Sequence, residues 1–208
     1  MVALALVAAA CSGSSADVTT TAPPPTSTST TTTTTPPAPI ATTTTTEPPV
    51  VAFAISGVVF GTTAPMLVIT NTSDQGREME GHWLCQDTSY WQIPDVALGP
   101  GEKVAISLGG TVFVPPPDAV VVDGAADLGP IDPTNGEIAL FSAGDFGDAA
   151  SVVSYVEWGR TPHGCTVPAI EADFWPGNDF VETNTDTIGL AAVTLPADDP
   201  ELWTVING

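Results

Sequence analysis

Two short runs hold the side chains best suited to chemistry: His82-x-x-Cys85 and His163-x-Cys165. They contain both histidines of the chain and two of its three cysteines. Two imidazoles and two thiols could complete a tetrahedral zinc site. Strand geometry opposes this, because residues three apart on a strand point to opposite faces. Disulfide chemistry also competes for the thiols outside the cytosol. Cys85 and Cys165 are 80 positions apart, and in an exported domain they are expected to bridge. Closing such a loop is worth about 4 kcal/mol in chain entropy. The alternative is two separate buried thiols.

Acidic side chains are the other source of chemistry. The segment 123–138, "DGAADLGPIDPTNGEI", carries oxygen ligands and an Asn-Gly at EF-hand offsets. Ile131 and Pro133 stand where that loop needs its first ligands, so the EF-hand pattern fails. A looser calcium site would use Asp123, Asp127 or Asp132, against the reading of a solvated acidic loop. Asp145 and Asp148 have the same two readings. No G-x-S-x-G, H-E-x-x-H or P-loop occurs, and no carboxylate pair stands out, so neither a catalytic residue nor a cofactor is expected. Exposed aromatics offer a binding surface instead. Tyr90 adjoins Trp91, and Phe174 adjoins Trp175 in an expected loop. Such rings can form a flat platform for a sugar or peptide, or pack under the 160–185 loop.

The third cysteine has a different setting. "MVALALVAAACSGSS" places Cys11 after an apolar run and three alanines. This resembles the lipobox of bacterial lipoproteins, in which that thiol is acylated and becomes the first residue. Residues 1–10 are then a signal peptide, with its basic n-region expected upstream of Met1. The run is too short to span a membrane, which takes about 20 apolar residues. Residues 11–49 follow as a Thr/Pro-rich stretch with almost no large apolar side chains. It cannot bury enough surface to fold and is expected to be a disordered, semi-stiff spacer. In polyproline II form it would reach about 100 Å. The expected location is the outer face of a cell membrane, within the cell envelope.

Composition excludes one class of partner. The chain has 24 acidic residues against three cations, Arg77, Lys103 and Arg160, for a formal charge of -21. Phosphate backbones are bound by displacing counterions with Lys and Arg, so nucleic acid is not an expected partner.

Residues 50–208 form one expected domain, and its pattern is β. Runs at 50–60, 66–71, 102–108, 118–124, 135–141, 151–159, 186–195 and 202–206 are β-branched or alternate apolar with polar. Val104, Ile106 and Leu108 share a face, as do Ile138 and Leu140, and Val152, Ser154, Val156 and Trp158. Turn clusters separate these runs, and no segment carries a helical period of useful length. Many short strands at near-regular spacing predict a two-sheet sandwich or barrel.

The ordered set "MLVITNTSDQGREMEGHWLCQDTSYWQIPDVALGPGEKVAIS" (66–107) and "NGEIALFSAGDFGDAASVVSYVEWG" (135–159) resembles the lamin-tail domain. Asn71, Gly81, Trp83 and Leu84 take that family's places in its first half, followed by Leu98, Pro100, Gly101 and Glu102. Asn135, Gly136 and Glu137, then Val156, Trp158 and Gly159, take them in the second. The likeness covers most of 51–160. It implies an immunoglobulin-like antiparallel β-sandwich, non-enzymatic, acting as a binding or tethering module. Bacterial members are often exported or attached to secreted hydrolases. The expected role is an envelope lipoprotein whose sandwich meets a protein or glycan of the envelope. The alternative is a secreted sugar- or calcium-binding domain associated with hydrolysis.

Overall fold

The computed structural model describes residues 51–124, 128–160 and 162–208. Cys11, the leader and the Thr/Pro-rich stretch lie outside the described residues, as does Asp127. The chain divides into Met1–Thr46 and Glu47–Gly208, and the second unit is an all-β sandwich.

One sheet has six strands. In spatial order they are β12 (Trp203–Asn207), β11 (Thr187–Ala192), β1 (Phe53–Val59), β2 (Met66–Asn71), β7 (Lys103–Ser107) and β8 (Val120–Asp123). The other has four: β10 (Val152–Trp158), β9 (Gly136–Phe141), β4 (Trp83–Gln86) and β5 (Ser89–Gln92). A small ribbon pairs β3 (Arg77–Glu78) with β6 (Ala97–Leu98). The pairing is antiparallel except at β8, which runs parallel to β7, so the sandwich is not wholly antiparallel. The long connection from 108 to 119, with its run of prolines, carries the chain back to start β8 in the same direction as β7.

The core lies between the two sheets. Ile55, Leu67, Ile69, Val104 and Ile106 from the large sheet meet Leu84, Ile138, Leu140, Val156 and Trp158 from the small one, all without solvent exposure. Trp158 stacks at a tilt on Phe60 and donates Nε1–H to the Asp132 carbonyl at 2.8 Å. A Cβ on Gly136, opposite Trp158 in the ladder, would lie 2.7 Å from the indole Cζ2, so only glycine fits there. Gly159 follows at φ +80°, with the Thr134 carbonyl oxygen where a Cβ would sit. The Ile55 amide donates to Ser154 Oγ at 3.0 Å, a polar tie from sheet to sheet.

The expected alternations hold for β7 and β9. On β10 the register shifts between Val152 and Ser154, so Val152 pairs with Phe141 and leaves the face shared by Ser154, Val156 and Trp158. Trp83 is half-buried on the outer face of the small sheet, edge-on to Phe146, and is not a core residue.

Asn71 ends β2 and organises two loops. Its Nδ2 donates to the carbonyls of Gln75, Leu98 and Gly99 at 2.8, 2.9 and 3.0 Å. Its Oδ1 accepts from the Ser73 amide and hydroxyl. The residue has no solvent exposure, so each lost partner leaves a buried group unpaired. Asn71→Ala is expected to lower the unfolding free energy by about 3 kcal/mol or more, read from urea denaturation. Asn71→Asp, which sets a buried carboxylate oxygen against those three carbonyls, should cost at least as much at neutral pH.

Candidate functional site

The outer face of the four-stranded sheet is where titratable side chains collect. Strand alternation puts Tyr155 and Glu157 of β10 on that face, with Glu137 and Ala139 of β9 beside them. Glu137 and Glu157 are direct cross-strand neighbours, and both are fully buried. Such a pair is stable only under a cover that supplies donors.

The cover is the segment after β10. Its turn at 163–165 leads into a six-residue helix, α1 (Thr166–Glu171), and on through Trp175 to a parallel bridge between Trp158 and Val181. The Cys165 amide donates to Glu137 Oε1 at 2.8 Å and to Oε2 at 3.1 Å. Tyr155 donates its hydroxyl to Glu137 Oε2 at 2.7 Å and sits 3.0 Å from Thr166 Oγ1. Glu157 Oε1 accepts from Thr166 Oγ1 and lies 2.5 Å from His163 Nδ1. His163 Nε2 is 3.1 Å from Asn135 Oδ1, which also accepts from Arg160. Glu157 Oε2 is buried with no hydrogen-bond partner. Trp175 closes the cover edge-on to Tyr155, with its Nε1–H donated to the Asp179 carbonyl at 2.6 Å.

Desolvation raises Glu137 to about 7, against the opposing hydrogen bonds of Tyr155 and Cys165. Burial likewise pushes the Tyr155 phenol far above its ordinary range, with the Glu137 charge adding to it. The phenol is therefore a fixed donor.

The two remaining thiols are joined: Cys85 of β4 is disulfide-bonded to Cys165, which anchors the cover to the sheet. Both cysteines are buried. The histidines of the two opening motifs do not join them. His82 turns away to lie edge-on to Phe53, with Nδ1 3.2 Å from the Met79 carbonyl. His163 is held by Glu157. Among the described residues, the grouping of three ligand atoms within 4.8 Å of one another is Cys85, Glu137 and Cys165.

The four aromatics of the expected platform are placed differently. Tyr90 is 40% exposed and stacks on Phe146 with ring centroids 4.0 Å apart. Trp91, next on β5, points to the other face and packs towards Ile106 and Gly124. Adjacent strand residues cannot present both rings on one side. Trp175 is 3% exposed and serves the cover, so its ring is not free for a ligand. Phe174 is half-buried and lines an apolar cavity of about 270 Å³ with Val51, Ala52, His82 and Val153. Only Tyr90, among the four, offers an exposed ring, and its stacking partner Phe146 lies in a loop that no local pattern links to β5.

Of the calcium candidates Asp127 lies outside the described residues, and the grouping of ligand atoms among the described residues includes neither Asp123 nor Asp132. Asp132 Oδ1 accepts from the amide and hydroxyl of Thr134 at 2.8 and 2.7 Å, closing its own turn. Those bonds hold its carboxyl below the usual range. Asp123 ends the edge strand β8, exposed.

Compared with protein-family models the sequence matches none, and no curated protein matches it.

Burial at the cavity holds the His82 imidazole below its ordinary 6.5, outweighing the backbone contacts that raise it. The unfolded chain then binds a proton at higher pH than the folded one. The stability His82 contributes is complete above about pH 6.5 and is lost as the pH falls below that value. Melting temperature plotted from pH 7.5 to 5 should fall less steeply in His82→Gln than in the parent. Parallel curves would show that the imidazole does not titrate differently on folding.

Proposed function

We propose that the protein is an exported, lipid-anchored protein of the cell envelope whose β-sandwich, of the lamin-tail kind, is a non-enzymatic binding or structural module. The observation that carries this reading is the Cys85–Cys165 disulfide, since such bonds persist in oxidising compartments and are rare in the cytosol. The Thr/Pro-rich stretch between Cys11 and the sandwich supports it as a spacer that would lift the domain from the membrane. The buried chemistry supports the non-enzymatic part. Glu137, Glu157, Tyr155 and Thr166 are spent on one another beneath a bonded cover and offer no approach to a substrate. The strong negative charge favours partners other than nucleic acid.

A sugar-binding reading is favoured by one observation, the exposed face of Tyr90 backed by Phe146. A ring held from behind by a second ring is a pre-organised surface for an apolar sugar face.

Full-length protein made in a bacterium that processes lipoproteins, and grown with an alkyne fatty acid, should carry the label and sediment with membranes. Cys11→Ala should lose both. A soluble, unlabelled parent that keeps residues 1–10 would overturn the anchor. On a glycan array the parent and Tyr90→Ala should differ if the aromatic pair binds sugar, and equal signals would leave the module reading without that address.

A further inference from the structure

The three ligand atoms beneath the cover raise a question that a disulfide alone does not answer. A disulfide is neutral and has no need of an anion at its side. Here a fully buried carboxylate lies within 4.8 Å of both sulfurs. The three donors come from three separate segments: β4, β9 and the turn before α1. A metal shell, with Zn–S bonds of about 2.3 Å and Zn–O bonds of about 2.0–2.2 Å, sets ligand atoms roughly 3.5–4 Å apart, so the two sulfurs, bonded to each other here, must separate on reduction, with Glu137 already beside both. The carboxylate is also oriented as a ligand would be. The Cys165 amide and the Tyr155 hydroxyl fix Glu137, the kind of outer support that metal-binding carboxylates receive.

We propose that Cys85 and Cys165 in their dithiol form, together with Glu137, bind a soft divalent cation such as Zn²⁺, and that the disulfide is the metal-free, closed form of the same site. The dithiol exists in the newly made chain, and it is regenerated when a small thiol reduces the bond. That reduction consumes two thiols and yields the two cysteine thiols plus the disulfide of the small molecule. Metal binding then forms two S–M bonds and one O–M bond and releases the two thiol protons to water. Two thiolates favour zinc-like ions over calcium or magnesium. The desolvated Glu137 carboxyl, which has no cation bonded to it in the disulfide form, gains a positive partner. His163 is not a ligand, because Glu157 and Asn135 hold both its ring nitrogens. This proposal does not depend on the envelope location.

The test uses the full chain carrying Cys11→Ser, reduced and freed of reductant without air, with Cd²⁺ as the probe. One equivalent of Cd²⁺ should give the ultraviolet thiolate-to-cadmium charge-transfer band of two sulfurs, with native near-ultraviolet circular dichroism. If reduction loosens the fold, Cd²⁺ should restore that dichroism as it binds. Cys165→Ser should leave about half the band per bound ion, as one sulfur of two remains. Glu137→Gln keeps the shape and the hydrogen-bond acceptor, so it should fold. It should weaken Cd²⁺ binding roughly tenfold or more, since even outer-sphere partners cost that much. Absence of the band in the reduced parent would overturn the proposal. So would equal Cd²⁺ affinity in the parent and Glu137→Gln.

Discussion

Two glutamates that face each other across β9 and β10 without reaching water set the terms for the rest of the outer layer. A bare sheet surface there would be unremarkable, because acids on a solvated face cost nothing. Once covered, the same acids need donors at close range, and the cover and β10 together supply them. The Cys165 amide and the Tyr155 hydroxyl serve Glu137, while Thr166 and His163 serve Glu157. A six-residue helix is too short to hold itself together. It stands because its first residue is bonded into the acid pair and the residue before it is bonded to Cys85. Polar satisfaction and the covalent staple therefore act on the same two positions, 165 and 166. Each of the two positions supports the other.

The sheet faces were legible in the sequence where one face meets the core and the other meets solvent or a thin layer. Lys103–Ser107 and Gly136–Phe141 show this, since their alternating apolar residues point where alternation says. The glycines of the motif-like runs were legible as signals but not as causes. Gly136 is required because Trp158 lies over it, a contact 22 positions away in sequence that no local pattern reports. Asn71 stood out as a place in the resemblance, and its role rests on an amide group that holds Leu98 and Gly99, distant in sequence. α1 was missed because six residues hold less than two turns, too little to show a period.

The chemistry was harder to read than the fold, for one physical reason. Glu137 and Glu157 sit in "NGEIALF" and "YVEWG", each a single acid in an apolar strand. Either could have been an ordinary outward-facing residue. That they are buried together depends on a segment contributed from beyond residue 160, where alternation gives no guide. The register of the two strands sets Glu137 opposite Glu157. Only the cover turns that pairing into a site. The His-x-x-Cys and His-x-Cys spacings pointed to the right neighbourhood through the cysteines and to the wrong partners through the histidines. Spacing along a chain says which residues can share an element, not which face a distant element will bring to them.

The edges of the sandwich show how the protein's charge and its architecture answer each other. β8 is a four-residue edge strand with Val120 and Val121 exposed, and β12 at the far edge exposes Ile206. Open edges with apolar side chains invite pairing with another copy. Three features oppose this. Both strands are short, prolines at 115–117 precede β8, and Asp123 ends it. The formal charge of -21, held against only three cations, adds repulsion at the longer range where two copies first meet. Charge of one sign is costly in a compact domain, and its arrangement here limits the cost. The acids that are buried are bonded individually, and most of the others face water, where screening weakens their repulsion within about 10 Å. Short edges, prolines and like charge thus act in the same direction, against edge-to-edge pairing.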